Sequence, residues 1–148
     1  MKFLLLPLLL FLSNCSFSPN LECGDLLEKH ATKPNNVEFI ACKTGTGQTI
    51  LEADYKILGK DSEEIERFLI SEFGIGELKF VCCGWESLNG KNGYVDNKQL
   101  KEINENYTLE ISMFANAEKK NEKGEFFVEF DRNKIDFCLK VRILERIL

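Results

Sequence analysis

The 148-residue chain reads as an α+β protein with the order α-β-β-α-β-β-β-β, a mostly antiparallel sheet with two helices on one side. Three observations carry this. Apolar residues alternate with polar ones in several runs, most clearly in the last third, which is the period of half-buried strands. Two segments place apolar residues at helical spacing. The links between these runs are short and rich in turn residues, with no internal repeat and no long linker, so adjacent strands pair antiparallel in one domain.

The first helix is expected over about Leu21–Ala31, because Cys23, Leu26, Leu27 and His30 fall at i, i+3, i+4 and i+7. Lys33-Pro34 ends it. Strands near Val37–Lys43 and Gln48–Leu58 flank Thr44-Gly45-Thr46-Gly47, a hairpin turn. Leu51, Ala53, Tyr55 and Ile57 share the buried face of the second, and Glu52, Asp54 and Lys56 a solvated one. The second helix is expected over about Ser62–Phe73, capped by Asp61 with Glu64 three residues on, buried through Ile65, Phe68, Leu69 and Phe73, and closed by Gly74. A strand near Leu78–Cys83 follows. Asn89-Gly90 and Asn92-Gly93 mark Ser87–Asp96 as an exposed loop. Strands over Tyr107–Met113, Phe126–Phe130 and Ile135–Ile143 then form a meander. Glu118–Glu125 and Asp131–Lys134 are its connections.

Composition narrows the function. Apolar residues make up 44% of the chain and aromatic residues 11%, enough for an ordinary core and too many for disorder. The balance of 19 Lys+Arg against 24 Asp+Glu gives net −5, which argues against a nucleic-acid partner. No apolar run reaches the roughly 18–20 residues of a membrane span.

The first fourteen residues differ from the rest. Only Lys2 is charged, and Phe3–Leu12 form an apolar stretch too short to span a bilayer but suited to a signal peptide. Leu12-Ser13-Asn14-Cys15 resembles the lipobox of bacterial lipoproteins, with Asn14 where Gly, Ala or Ser is usual. The resemblance implies residues 1–14 as a lipoprotein signal peptide, Cys15 as the lipidated first residue of the mature chain, and 15–20 as a tether to a domain over 21–148. Ser16 after the cysteine implies the periplasmic face of the outer membrane. The membrane is thus one expected partner, through acyl chains whose buried CH₂ groups contribute roughly 0.8 kcal/mol each. Removal of Lys2 with the leader takes the net charge to −6.

Six cysteines are present: Cys15, Cys23, Cys42, Cys82, Cys83 and Cys138. With Cys15 lipidated, five remain, and export favours disulfides. Two bonds among five cysteines allow 15 pairings. Cys23, on the buried side of the first helix, can meet a cysteine of the sheet. Cys82 and Cys83 point to opposite faces of one strand, so they are expected to bond to different partners. Cys138, on the polar face of its strand, is the candidate free thiol. The doublet lacks Cys-x-x-Cys spacing, and no metal site is expected.

No catalytic constellation emerges. His30 is the only histidine and reads as a packed core or edge residue. No nucleophile-elbow, phosphate-loop or zinc-protease motif is present, and no cofactor is expected. Trp85, the only tryptophan, lies with Glu86 before the glycine-rich loop that holds Tyr94. These three are the binding candidates, because an exposed Trp and Tyr at a loop rim make an interaction hot spot. The packing role, in which Trp85 covers the end of the core, is favoured.

Cys23-Gly24-Asp25-Leu26, Cys42, the Gly59-Lys60-Asp61 helix start and Cys82-Cys83-Gly84-Trp85-Glu86 together resemble domain-of-unknown-function family 4952, over about Leu21 to Tyr107. The resemblance implies a small exported bacterial protein and carries no catalytic residues. It also implies that Cys23, Cys42, Cys82 and Cys83 act together, leaving Cys138 over. The leading expectation is a non-catalytic protein-binding lipoprotein facing a periplasmic or delivered protein, as an immunity or inhibitor protein does. The alternatives are an envelope structural or assembly lipoprotein, and then a thiol enzyme using Cys82 or Cys83 with His30. No feature of the sequence sets an oligomeric state.

Overall fold

The structure, a computed structural model, describes residues 21–147. The expected signal peptide (1–14), the expected lipidation site Cys15 and the expected tether (15–20) lie outside the described residues. In chain order the elements are α1 (Leu26–His30), β1 (Glu38–Thr44), β2 (Thr49–Ile57), α2 (Ser62–Phe73), β3 (Leu78–Val81), β4 (Gly84–Ser87), β5 (Gly93–Val95), α3 (Lys98–Ile103), β6 (Tyr107–Asn116), β7 (Glu118–Lys120), β8 (Phe126–Val128) and β9 (Phe137–Glu145). Three short 3-10 turns punctuate them. The main sheet runs β1-β2-β9-β6-β4-β3, with β5 paired to the other end of β6. Every pairing is antiparallel. The α+β class is as the sequence predicts.

Alternation decides the two faces. Tyr55, Ile57, Leu109, Ile111, Met113, Leu139, Val141 and Ile143 point inward and are almost fully buried with Leu26, Leu27, Ile65, Leu69 and Leu100 from the helices. Burying a side chain of this kind contributes roughly 1.5–3 kcal/mol. Tyr55 is the polar member of this set. Its hydroxyl donates to Asp25 Oδ1 at 2.9 Å and accepts from the Leu27 N–H at 2.8 Å, which fixes α1 on the sheet. Burial pushes the Tyr55 phenol well above its usual range.

Several elements depart from the sequence reading. Helix α1 starts only at Leu26, because Asp25 caps it by accepting from the Glu28 N–H. Cys23 is therefore outside the helix, and it bonds to Cys42 of β1 across 5.6 Å between Cα atoms. Helix α2 has the predicted bounds and ends on Gly74 at φ +72. Asp61 makes no side-chain cap, since a 3-10 turn over Gly59–Asp61 feeds directly into the helix. A Cβ on Gly59 would lie 2.5 Å from the Ile135 carbonyl oxygen, so only glycine permits that turn to approach the one at Arg132–Lys134.

The expected strand Leu78–Cys83 ends at Val81, and Cys82-Cys83 is the two-residue turn of a β3–β4 hairpin. The two cysteines pair with each other rather than with separate partners. They occupy a turn, so the opposite-face rule for strand neighbours does not apply. Strand β5 and helix α3 appear in or after the segment read as loop. α3 is capped by the Asn97 side chain, which accepts from the Leu100 N–H. The expected meander is also revised. β6 pairs directly with β9 from Tyr107↔Glu145 to Phe114↔Cys138. β8 forms a separate hairpin with β7. Phe126 and Phe127 are adjacent, so one would face solvent in either orientation of a half-buried strand, and both are exposed.

The outer face is charged but not simply solvated. Glu52 is only 8% exposed. It receives Arg142 Nε at 2.7 Å, Lys140 at 3.0 Å and Lys43 at 3.2 Å. Arg142 reaches on to Glu110 at 3.2 Å, which also accepts from Tyr94 at 2.9 Å. One polar ladder thus crosses β1, β2, β9, β6 and β5. The Arg142 guanidinium, with Lys140 and Lys43 behind it, holds the Glu52 carboxyl at about 2, against the opposing effect of burial. A depressed folded-state value stabilises the fold fully above the unfolded value of 4.5 and is lost as pH falls toward 2. We expect Glu52→Gln to cost about 2 kcal/mol at neutral pH and to flatten the loss of stability between pH 4.5 and 2 in urea titrations. An unchanged acid limb in the variant contradicts this.

Candidate functional site

The inner face is covered less completely toward β3, the edge strand. There a groove of about 820 Å³ runs between α2 and the β3–β4 hairpin. Phe80 of β3 and Trp85 of β4 are cross-strand partners, which puts both on the inner face. Their rings meet edge to face at 5.6 Å. Phe130 closes the aromatic row at 5.1 Å from Phe80 while remaining 70% exposed. Ile70 and Arg67 of α2 face them across the groove, and Glu63, Glu77 and Lys79 supply mixed charge at its rim.

Arg132 anchors the floor. Its Nη1 meets Glu66 at 2.6 Å, and its Nε donates to Ser62 Oγ at 2.7 Å. The guanidinium lies 5.2 Å from the Trp85 ring centroid and 4.9 Å from that of Phe137, within cation–π range. The second Glu66 oxygen accepts the Leu78 N–H at 2.6 Å. One carboxylate therefore links α2, β3 and the turn before β9. Arg132 Nη2 and Trp85 Nε1 are buried with no hydrogen-bond partner among the described residues.

The sequence-based candidates separate in space. Trp85 packs against the buried Phe137 at 6.4 Å, the favoured core-end role, and also lines the groove. Glu86 points to the opposite face and is exposed. Tyr94 ends the outer polar ladder with the Arg146 guanidinium 5.2 Å from its ring. The expected rim of Trp85 beside Tyr94 does not form, because β4 and β5 pair with different ends of β6: Trp85 opposes Ala115 and Tyr94 opposes Glu110. Among the described residues Cys138 is unpaired; it is exposed on the outer face, and partial desolvation of the thiol with Asp54 nearby raises its pKa. His30 is half-buried, and burial with Lys29 nearby lowers its pKa. Cys82 and Cys83 lie at the β3–β4 turn, away from it in the chain and on another element.

Three groove residues escaped the sequence reading. Arg132 reads as a connection and Phe130 as the end of a buried strand. Glu66 carries no site assignment from the sequence, although Ser62, Ile65, Glu66, Leu69 and Phe73 follow one helical face. A carboxylate inside an apolar stripe is a legible sign of a buried partner.

The arrangement defines an α+β protein with an aromatic groove at one sheet edge. The family model for a domain of unknown function, DUF4952, matches residues 12–85, and the chain belongs to that family. The matched span holds Cys15, Cys23, Cys42, the cysteine doublet and Trp85, while Phe130 and Arg132 lie outside it. No curated protein and no solved structure matches the chain.

Glu66→Gln keeps the shape of the side chain and removes the charge opposite Arg132. It is expected to cost about 3 kcal/mol in urea unfolding followed by Trp85 fluorescence. Adding Arg132→Met should return part of that loss. A loss under about 1 kcal/mol for the single variant contradicts the clamp.

Proposed function

We propose that the protein is a non-catalytic protein-binding module that takes its partner in the α2/β3–β4 groove. The observation that carries this reading is the aromatic row Trp85–Phe80–Phe130, of which Phe130 is 70% exposed. Exposed aromatic rings flanked by mixed charge are the composition of interaction hot spots.

The edge strand adds a second attraction. Glu77 and Leu88 are hydrogen-bonded across the hairpin, so by antiparallel alternation the backbone of Phe80 faces away from β4. A partner strand laid along β3 would meet that backbone and set side chains into the groove.

The proposed setting is the periplasmic face of the outer membrane, with the chain anchored through lipid on Cys15. The described chain begins beside β1, tied by Cys23–Cys42, and the groove is at the opposite edge of the sheet. An anchor at one edge leaves the other open to a periplasmic or delivered protein. An immunity or inhibitor role is the specific form of this proposal. With immobilised protein and periplasmic and secreted fractions, Phe130→Ala should weaken the captured partner about 30-fold, equivalent to about 2 kcal/mol. Ile40→Ala, exposed on β1, should leave capture unchanged. No partner, or equal capture by Phe130→Ala, overturns the reading.

A further inference from the structure

The Cys82–Cys83 turn stands apart from both the groove and the Cys23–Cys42 bond. The latter joins residues 19 apart, and closing such a loop stabilises the fold by restricting the unfolded chain. A bond between sequence neighbours closes no chain loop, so this source of stability is absent for Cys82–Cys83. The doublet therefore needs another role than stapling.

Its placement suits exchange chemistry. Cys82 is exposed and Cys83 half-buried. Both border a shallow hollow of about 330 Å³ at the end of the hairpin, alongside Trp85, Glu86 and Phe114. The backbone is tight: Cys82 has φ +54, and the Cys83 N–H donates to the Val81 carbonyl at 2.7 Å. A non-glycine residue in this left-handed region is strained, and such strain collects at functional positions.

The turn also connects to the groove. Val81 and Gly84 flank it, and the next cross-strand pair outward is Phe80 and Trp85. The Cys83 carbonyl accepts from the Ala117 N–H at 2.8 Å, and the Ala117 carbonyl accepts from the Glu129 N–H at 2.8 Å. That chain ends one residue before Phe130. A change in the turn thus has a direct path to all three rings.

We propose that Cys82–Cys83 is a thiol–disulfide exchange site, with an external dithiol as reductant, whose opening alters the aromatic groove. A thiolate of the dithiol attacks Cys82 Sγ, the exposed sulfur. The Cys82–Cys83 bond breaks, and Cys83 leaves as a thiolate that takes a proton from water. The second thiolate of the same dithiol then attacks its own sulfur in the mixed disulfide and releases Cys82. Two electrons and two protons pass to the cysteine pair, and the external dithiol leaves as its disulfide. The exchange itself does not depend on what the groove binds.

The test uses the purified chain at graded ratios of reduced to oxidised dithiothreitol, alkylated with iodoacetamide and mapped by mass spectrometry. Cys82 and Cys83 should become modified together at ratios that leave Cys23 and Cys42 unmodified. Trp85 emission should shift over the same range. The double variant Cys82→Ser, Cys83→Ser, checked for folding by circular dichroism, should lack that shift. Modification of Cys82 and Cys83 without reductant, or only together with Cys23 and Cys42, overturns the exchange site. A constant Trp85 signal in the native chain, or the same shift in the double variant, overturns its link to the groove.

Discussion

The Glu66 carboxylate is bound from two directions, and the groove end of the molecule depends on it. One oxygen takes the Leu78 N–H of the edge strand, and the other takes Arg132. Both ions are largely out of water. Removing a charge from such a pair costs more than the pair is worth, because the remaining ion is left unpaired. The value of the pair is in position. It fixes α2 against β3 and brings Arg132 under Trp85 and Phe137, so the floor of the groove is held by electrostatics where apolar packing thins out.

The same contact manages an exposed edge. An unpaired edge strand invites uncontrolled association. Here the Leu78 amide is occupied by Glu66, and the remaining free backbone of β3 is confined to the stretch beside Phe80. Gly59 makes this possible at a distance, since its missing Cβ lets the turn carrying Arg132 approach the start of α2. The groove is built from both halves of the chain. The family-matched span supplies α2, β3 and Trp85, and the remainder supplies Phe130 and Arg132.

The sheet was largely legible because alternation is a local property. The inward set Leu139, Val141 and Ile143 and the Leu51–Ile57 face follow directly from it, as does α2 with its Gly74 stop. Pairing was less legible. Nothing local says that β6 meets β9 and not β8, because both partners present apolar residues at the same period. Short elements such as β4, β5 and α3 lack a full period and rest on tertiary contacts. The groove was the least legible part, because Arg132, Phe130 and Glu66 are joined only through space. Of the candidates singled out from sequence, Trp85 lies in it, and Glu86 and Tyr94 do not.

Native-state hydrogen exchange of the Leu78 amide addresses the Glu66 clamp most directly. An ordinary edge-strand amide facing away from its partner exchanges through small local openings. If Glu66 holds the edge as described, the Leu78 amide exchanges as slowly as amides of the central strands β6 and β9, and Glu66→Ala, which removes the acceptor, returns it to fast exchange. Fast exchange of Leu78 in the native chain contradicts the account.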